Sequence, residues 1–352
     1  MILRILTILF FIILLNGIML SQDGFRYTFF DKTPLTLNPG NAGSFEGTVR
    51  LGAILRDQDY GLSPGQYQSP LGFVDAPIIR GFRKQDWIGF GVSFQFDNSA
   101  IASSNLIQST ISGGLSYHFS IDKNRKNILS LGAQSGTTQA YFTGTYFNDG
   151  KGYKEAIDNG TEPQPSDYSQ YLPNNIKKKS LSNGYTIGMV YTGNFSEKTK
   201  LNLGLAVGNI GRNVNYTLLE NGSGYNRKSL KFISFAKYRT ELENGLILEP
   251  RMVFVYMDPD YEGSIQALAG LKIKKPENTT VYAGLGYNIV NGLQFLMAAD
   301  IKELRAFYSF DINLSDKVSA SGPSGAFEIG VSYIFKIYKR PNPDPVLVCP
   351  QL

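Results

Sequence analysis

His118 is the only histidine in the chain, and Ser116 and Ser112 precede it by two and six residues. A histidine beside a serine is the smallest set that activates a hydroxyl nucleophile, provided a third group orients the ring. The spacing argues against that chemistry. Alternation places the three on one face of a strand, where neighbours two residues apart lie about 7 Å apart along the strand and do not hydrogen-bond. Cys349, close to the end, is the only cysteine. One cysteine and one histidine exclude an internal disulfide and a metal site built from His and Cys. There is no Gly-rich phosphate loop, and no carboxylate pair stands out as an acid/base couple. No catalytic, cofactor-binding or metal-binding residues are therefore expected.

The elements that carry these residues are strands. The 352 residues include 23 Phe, 21 Tyr and 37 Gly, with only 18% charged. That balance suits alternating strands with aromatic interface girdles. Between Trp87 and Asp97, the residues Ile88, Phe90, Val92, Phe94 and Phe96 share one face. Trp87, Gly89, Gly91, Ser93, Gln95 and Asp97 share the other. Successive strand side chains point to opposite faces, and in a transmembrane barrel those faces meet lipid and lumen. The same pattern recurs in Ile111 to Phe119, Leu201 to Val207, Val281 to Ile289 and Phe327 to Phe335.

About fourteen such segments are readable, an even number as single-chain bacterial barrels require. They lie near 47–56, 71–80, 86–97, 108–119, 127–140, 184–193, 199–210, 228–239, 245–256, 265–274, 279–288, 292–301, 304–312 and 325–337. The second alternates least regularly. The eighth is ambiguous, because Ile233 and Phe235 share a face with Lys231 and Lys237. Short charged turns, such as Lys123 to Lys126 and Lys275 to Asn278, alternate with mostly longer links at 57–70, 98–107, 141–183, 209–227, 257–264 and 313–324. That rhythm predicts an all-β transmembrane antiparallel barrel with short periplasmic turns and long extracellular loops. A soluble β-sandwich would not need it.

Arg4 followed by the apolar run Ile5–Leu15 and a small residue at Ser21 has the form of a secretory signal peptide. An N-terminal anchor is the alternative, although the run is short for a spanning helix. The expected organisation is a signal peptide at 1–21, a periplasmic N-terminal segment at 22–46, the outer-membrane barrel at 47–337 and a periplasmic tail at 338–352. The formal charge of +5 is diffuse, and the one basic run, Lys177 to Lys179, lies in a loop-like stretch. Nucleic acid is not an expected partner; outer-membrane lipid is.

Extrapolated alternation turns Arg50, Asp97, Glu249, Arg251, Lys272, Asp300, Arg305, Asp311 and Glu328 inward. Facing lipid at the midplane, a charge costs about 2–4 kcal/mol. The inward charges either pair to plug a narrow lumen, or they line a channel or receive a partner segment. Closure brings the first strand beside the last, so Arg50 and Glu328 are expected to form an ion pair across the seam.

Short motifs resemble a known family. Leu37 to Gly43, with Asn38, Pro39 and Gly43, is similar to the "NPAxAG" opening of the PorP/SprF family. Arg56, Asp57 and Gln58 resemble its "R-x-Q-W" element, with Asp59 at the Trp position. Trp87 through Asp97 resembles its "G-x-G-x-x-F-x-D" strand, Leu115 to His118 its "SxxYH" strand end, and Leu248 to Pro250 its "xxPS" strand. Leu304 to Asp311, including Arg305, is similar to "LRxGYSYD". Ser324 to Ile329, including Glu328, resembles "SGxHEI", and Cys349-Pro350 its "CP" tail. The turn-prone Asn38 to Gly43 also has a purely conformational reading, since Pro fixes φ and Gly permits positive φ.

The resemblance implies a non-enzymatic outer-membrane component of the type IX secretion system of Bacteroidota, in several cases linked to gliding motility. Its implied partners are the secretion machinery and secreted cargo, through a C-terminal domain or an adhesin. Tyr141, Tyr146, Tyr153, Tyr168, Tyr171, Tyr216 and Tyr225 in the long loops are candidate contacts, or else girdle and loop packing. The competing readings are a porin or small-solute transporter, and a structural barrel tied to periplasmic machinery.

Overall fold

The computed structural model describes residues 27–58, 67–80, 85–101, 104–124, 126–144, 176–211, 213–215, 225–227, 229–273, 279–290, 292–314 and 325–337. The expected signal peptide at 1–21, the tail at 338–352 with Cys349, and Tyr146, Tyr153, Tyr168, Tyr171 and Tyr216 lie outside them. The strands are β1 (Val49–Gln58), β2 (Tyr67–Arg80), β3 (Trp87–Ile101), β4 (Ser104–Ser120), β5 (Asn127–Gly144), β6 (Ile176–Asn194), β7 (Thr199–Ile210), β8 (Asn213–Asn215) and β9 (Tyr225–Arg227). They continue as β10 (Lys231–Glu241), β11 (Leu246–Met257), β12 (Asp260–Ile273), β13 (Thr279–Asn288), β14 (Gly292–Ile301), β15 (Leu304–Asn313) and β16 (Gly325–Phe335). β8 and β9 form a small separate hairpin. The other fourteen close into an antiparallel barrel in chain order, with β1 against β16.

The outer face is apolar because the sequence alternates. Ile265, Leu205, Ile111, Phe94 and Ile329 are all exposed, while Ser93, Ser112, Ser116, Gln266 and Glu328 on the opposite faces are buried. Such a continuous apolar belt is stable against lipid and not against water. Aromatic pairs sit near both ends of the belt, Tyr333 with Phe335 at 4.7 Å and Phe232 with Tyr256 at 6.4 Å. Among the described residues, no helix is long and apolar enough to cross a membrane.

The ambiguous eighth segment resolves as β10, with Ile233 and Phe235 buried in the bore and Phe232 exposed on the outside. The irregular second segment contains Pro70 and Pro77, and its register against β3 shifts between Pro77 and Ile79. Proline cannot donate to a ladder, so bulges gather there. The links expected at 98–107 and 257–264 are largely strand over their described residues: Ile101 of β3 pairs with Ser104 of β4, and Met257 of β11 with Asp260 of β12. Alternation marks only the lipid belt, whereas backbone pairing continues past it. The wall from β3 to β6 is consequently tall, with strands of 15, 17, 18 and 19 residues against 10 in β13, β14 and β15. The extra height is at the end that bears the long links.

The segment before β1 does not stand outside the barrel. Its described part, 27–46, lies in the bore as two 3-10 turns, Phe30–Lys32 and Pro39–Asn41, flanking a single helical turn, α1 (Pro34–Leu37). Over its described residues the segment expected at 22–46 thus lies in the bore and not outside the barrel, and residues 22–26 lie outside the described residues. The physical reason is apolar content: Phe29, Phe30, Leu35 and Leu37 are 0–2% exposed, and each gains about 1.5–3 kcal/mol by burial.

Candidate functional site in the lumen

The plug crosses the bore from the short-turn end, where it joins β1, to the long-link end, where Tyr27 and Thr28 sit. Two stretches of it bind the wall by different means.

Near the short turns, Asn38 to Gly43 docks against β2 to β7. Asn38 Nδ2 donates to the carbonyls of Met189 and Leu205, at 3.1 and 2.8 Å, and its Oδ1 accepts the Gly40 N–H at 2.8 Å. The plug backbone touches the wall because the wall has glycine beneath it. A Cβ at Gly89 would meet the Ala42 carbonyl, one at Gly132 the backbone of Pro39 and Gly40, and one at Gly188 the Asn38 side chain. Gly43 itself has a φ of +66°, which glycine adopts without steric cost. Its N–H reaches Asp75 Oδ2 at 2.7 Å and its carbonyl accepts Trp87 Nε1 at 3.0 Å. Asp75 is fixed in turn by Arg50, at 2.9 and 2.7 Å.

His118 belongs to this docking surface. Its Nε2 lies 2.7 Å from the Ala42 carbonyl and 2.8 Å from Ser116 Oγ, and its Nδ1 2.7 Å from Ser130 Oγ. The Ser116–His118 contact corrects the sequence expectation, because both side chains lean toward the plug carbonyl. It is not a nucleophile–base pair. A carbonyl only accepts, so Nε2 carries a proton and cannot take one from Ser116, whose own hydroxyl donates to Ala42 at 2.6 Å. Trp87 stacks on the ring at 4.5 Å, and His118 is fully buried.

Toward the long links, five strands hold Thr28, the longest contact being Gln294 Nε2 of β14 at 3.4 Å from its hydroxyl. Its N–H and that of Phe29 donate to the two oxygens of Glu328, at 2.8 and 2.9 Å. Its hydroxyl donates to Asp311 at 2.8 Å and accepts from Arg56 Nη1 at 2.8 Å. Its carbonyl accepts Gln266 Nε2 at 2.9 Å. Every polar atom of Thr28 is thus satisfied by β1, β12, β14, β15 and β16. One turn on, Asp31 receives Arg251 at 2.6 Å and Lys237 at 2.7 Å, and Lys237 also pairs with Glu249 at 2.9 Å. Arg251 lies 4.9 Å from the centre of the Phe29 ring.

The expected Arg50–Glu328 pair is not formed. The register sets Arg50 opposite Ile334 and Arg56 opposite Glu328. Arg50 and Arg56 are an even number of residues apart, so both face inward, and alternation by itself cannot choose between them. Of the remaining resemblance residues, Asp57 accepts from Gln68 at 3.1 Å and Gln58 stands opposite Tyr67 and Ala326. Asp97 is buried and accepts from Gln95 at 3.0 Å. Pro250 faces outward where the β10–β11 pairing skips from Lys237–Arg251 to Thr240–Leu248, as a residue without an N–H requires. Arg305 pairs with Asp300 across the β14–β15 hairpin, and Lys272 with Glu241 at the rim.

Thr28, Asp31, Asp75 and Lys237 were missed by sequence reasoning. A signal was available: Tyr27, Phe29, Phe30, Leu35 and Leu37 make the supposed periplasmic segment too apolar to remain in water. Among the described residues no group of three or more His, Cys, Asp or Glu could hold a metal ion. The arrangement grips a polypeptide segment by its backbone at Gly43 and Thr28 and by the side chains of Asn38 and Asp31.

A family model described as type IX secretion system membrane protein PorP/SprF matches residues 20–333. Among solved structures, the CymD monoaromatic hydrocarbon channel is similar with a TM-score of 0.53 at 13% identity, over 91% of this chain and 96% of that one. The Ralstonia pickettii toluene transporter TbuX is similar with a TM-score of 0.51 at 9% identity, over 86% and 94%. At such identities the likeness is one of fold. No curated protein matches the sequence.

Proposed function

Because the chain belongs to the PorP/SprF family and is an outer-membrane component of the type IX secretion system, we propose that it works without catalysis. It acts as a scaffold that helps particular secreted cargo, such as adhesins used in gliding, to reach or stay on the cell surface. The observation that carries this reading is the filled bore: residues 27–44 occupy it and are held at both ends, which favours binding at the rims over passage of solutes. The short turns face the periplasm and the long links the exterior, as is usual for such barrels, with a cleaved leader at 1–21 and a periplasmic tail at 338–352.

The experiment is surface proteomics of a deletion strain beside a strain lacking only residues 145–175. Loss of one or a few type IX substrates, with general secretion intact, supports the scaffold. A normal surface proteome with defective uptake of a small solute overturns it in favour of a transporter, a reading that draws on the fold shared with CymD and TbuX.

A further inference from the structure

At the short-turn end the bore widens into a bowl of about 840 Å³. Asp31, Lys32 and Pro34 of the plug form its floor, so a molecule that enters stops there. Lysine and arginine supply seven of the lining residues, aspartate and glutamate four. Three of the four carboxylates are already engaged: Asp31 with Arg251 and Lys237, Asp300 with Arg305, and Glu303 with Lys336 at 3.3 Å. Lys200 and Lys302 are exposed, and among the described residues neither has an ion pair. A concave surface with one sign in excess and low-dielectric walls concentrates the opposite charge.

The free cations are spread around the circle. Lys200 opens β7, and Lys302 sits in the turn after β14, five neighbours away among the fourteen strands. Arg80 ends β2, three neighbours from β15 on the other side. Its guanidinium reaches the Gly47 carbonyl through one Nη, which leaves other N–H groups for a ligand. A single phosphate cannot touch all three arcs; an extended polyanion can. Membrane lipid is excluded sterically, because Trp87, Ile128 and Ser332 place the bowl inside the strand circle while acyl chains belong outside it.

We propose that the bowl binds an acidic peptide segment, held by Lys200, Lys302 and Arg80. The compartment that supplies the segment rests on the orientation proposed above; the binding itself does not, so either can fail alone. The test uses the full chain in zwitterionic micelles and a fluorescein-labelled peptide of alternating glutamate and serine, read by anisotropy. The expected result is binding that weakens with salt, is absent for the matched glutamine peptide, and falls about tenfold in Lys200→Glu/Lys302→Glu. A lysine–serine peptide should gain affinity for that variant. Retention of the heat-modifiable gel band shows that the variant is folded. Equal binding of the glutamine peptide, an unchanged affinity in the double variant, or complete displacement by inorganic phosphate at matched charge would each overturn the proposal.

Discussion

Arg56 and Glu328 stand opposite each other in the β1–β16 ladder with Thr28 of the plug between them. The Thr28 hydroxyl lies 2.8 Å from Arg56 Nη1 and its N–H 2.8 Å from Glu328 Oε2, while the two charged groups remain 3.8 Å apart. Barrel closure and plug seating therefore depend on the same buried charges.

Glu328→Gln replaces one acceptor with an amide NH2 facing a backbone N–H and strips an anion from Arg56. Removing one partner of a buried pair costs about 3–5 kcal/mol, so the temperature at which the folded gel band is lost should drop. Adding Arg56→Gln should recover part of the loss, whereas adding Arg50→Gln should be merely additive. Additive behaviour of Arg56 and Glu328 would show that the seam pair is not coupled.

Gly188→Val should unseat the plug without opening the barrel, since the new side chain occupies the place of the Asn38 amide. Residues 27–44 should become sensitive to protease and conductance in planar bilayers should rise, with the heat-modifiable band retained. Asn38→Ala, which removes three hydrogen bonds, should give a milder version, costing about 2–4 kcal/mol. Unchanged conductance and protection in both would mean that the plug does not depend on this docking.

Ser116 should not react with a fluorophosphonate, in folded or micelle-bound protein, because the nitrogen facing it carries a proton and the site is covered by Ala42. Mass-spectrometric detection of a Ser116 adduct would sink the non-enzymatic reading.

Asp122, in the β4–β5 turn, accepts N–H groups from Asn124, Lys126 and Asn127 at 2.8–3.0 Å, and the Asn127 side chain at 2.7 Å. Desolvation pushes its carboxyl up, but the four hydrogen bonds together outweigh it and hold it below the ordinary 3.8. A depressed carboxyl stabilises the fold above its unfolded value and ceases to as pH falls through the folded one. Asp122→Ala should speed amide exchange in the turn at neutral pH. Wild type and variant should converge as the pH drops below 3.8. An exchange difference that persists unchanged at lower pH would refute this role for the carboxylate.

The sequence by itself determined the barrel, the strand count and the identity of the lipid face. A period of two requires only that Phe90, Phe94, Leu205 or Ile329 meet lipid while Ser93, Gln266 or Glu328 do not, and those strands encode that locally; in β10, where Ile233 and Phe235 share a face with Lys231 and Lys237, closure of the barrel decided it. The tertiary structure alone decided which inward groups meet. Arg50 and Arg56 carry the same parity, so only the pairing of Val49 with Phe335 assigns Glu328 to Arg56 and leaves Arg50 to Asp75. It also decided what fills the bore, because Thr28 finds its partners 28 to 300 residues away. No local pattern records contacts at that separation; they exist only once fourteen strands have closed around the segment that precedes them.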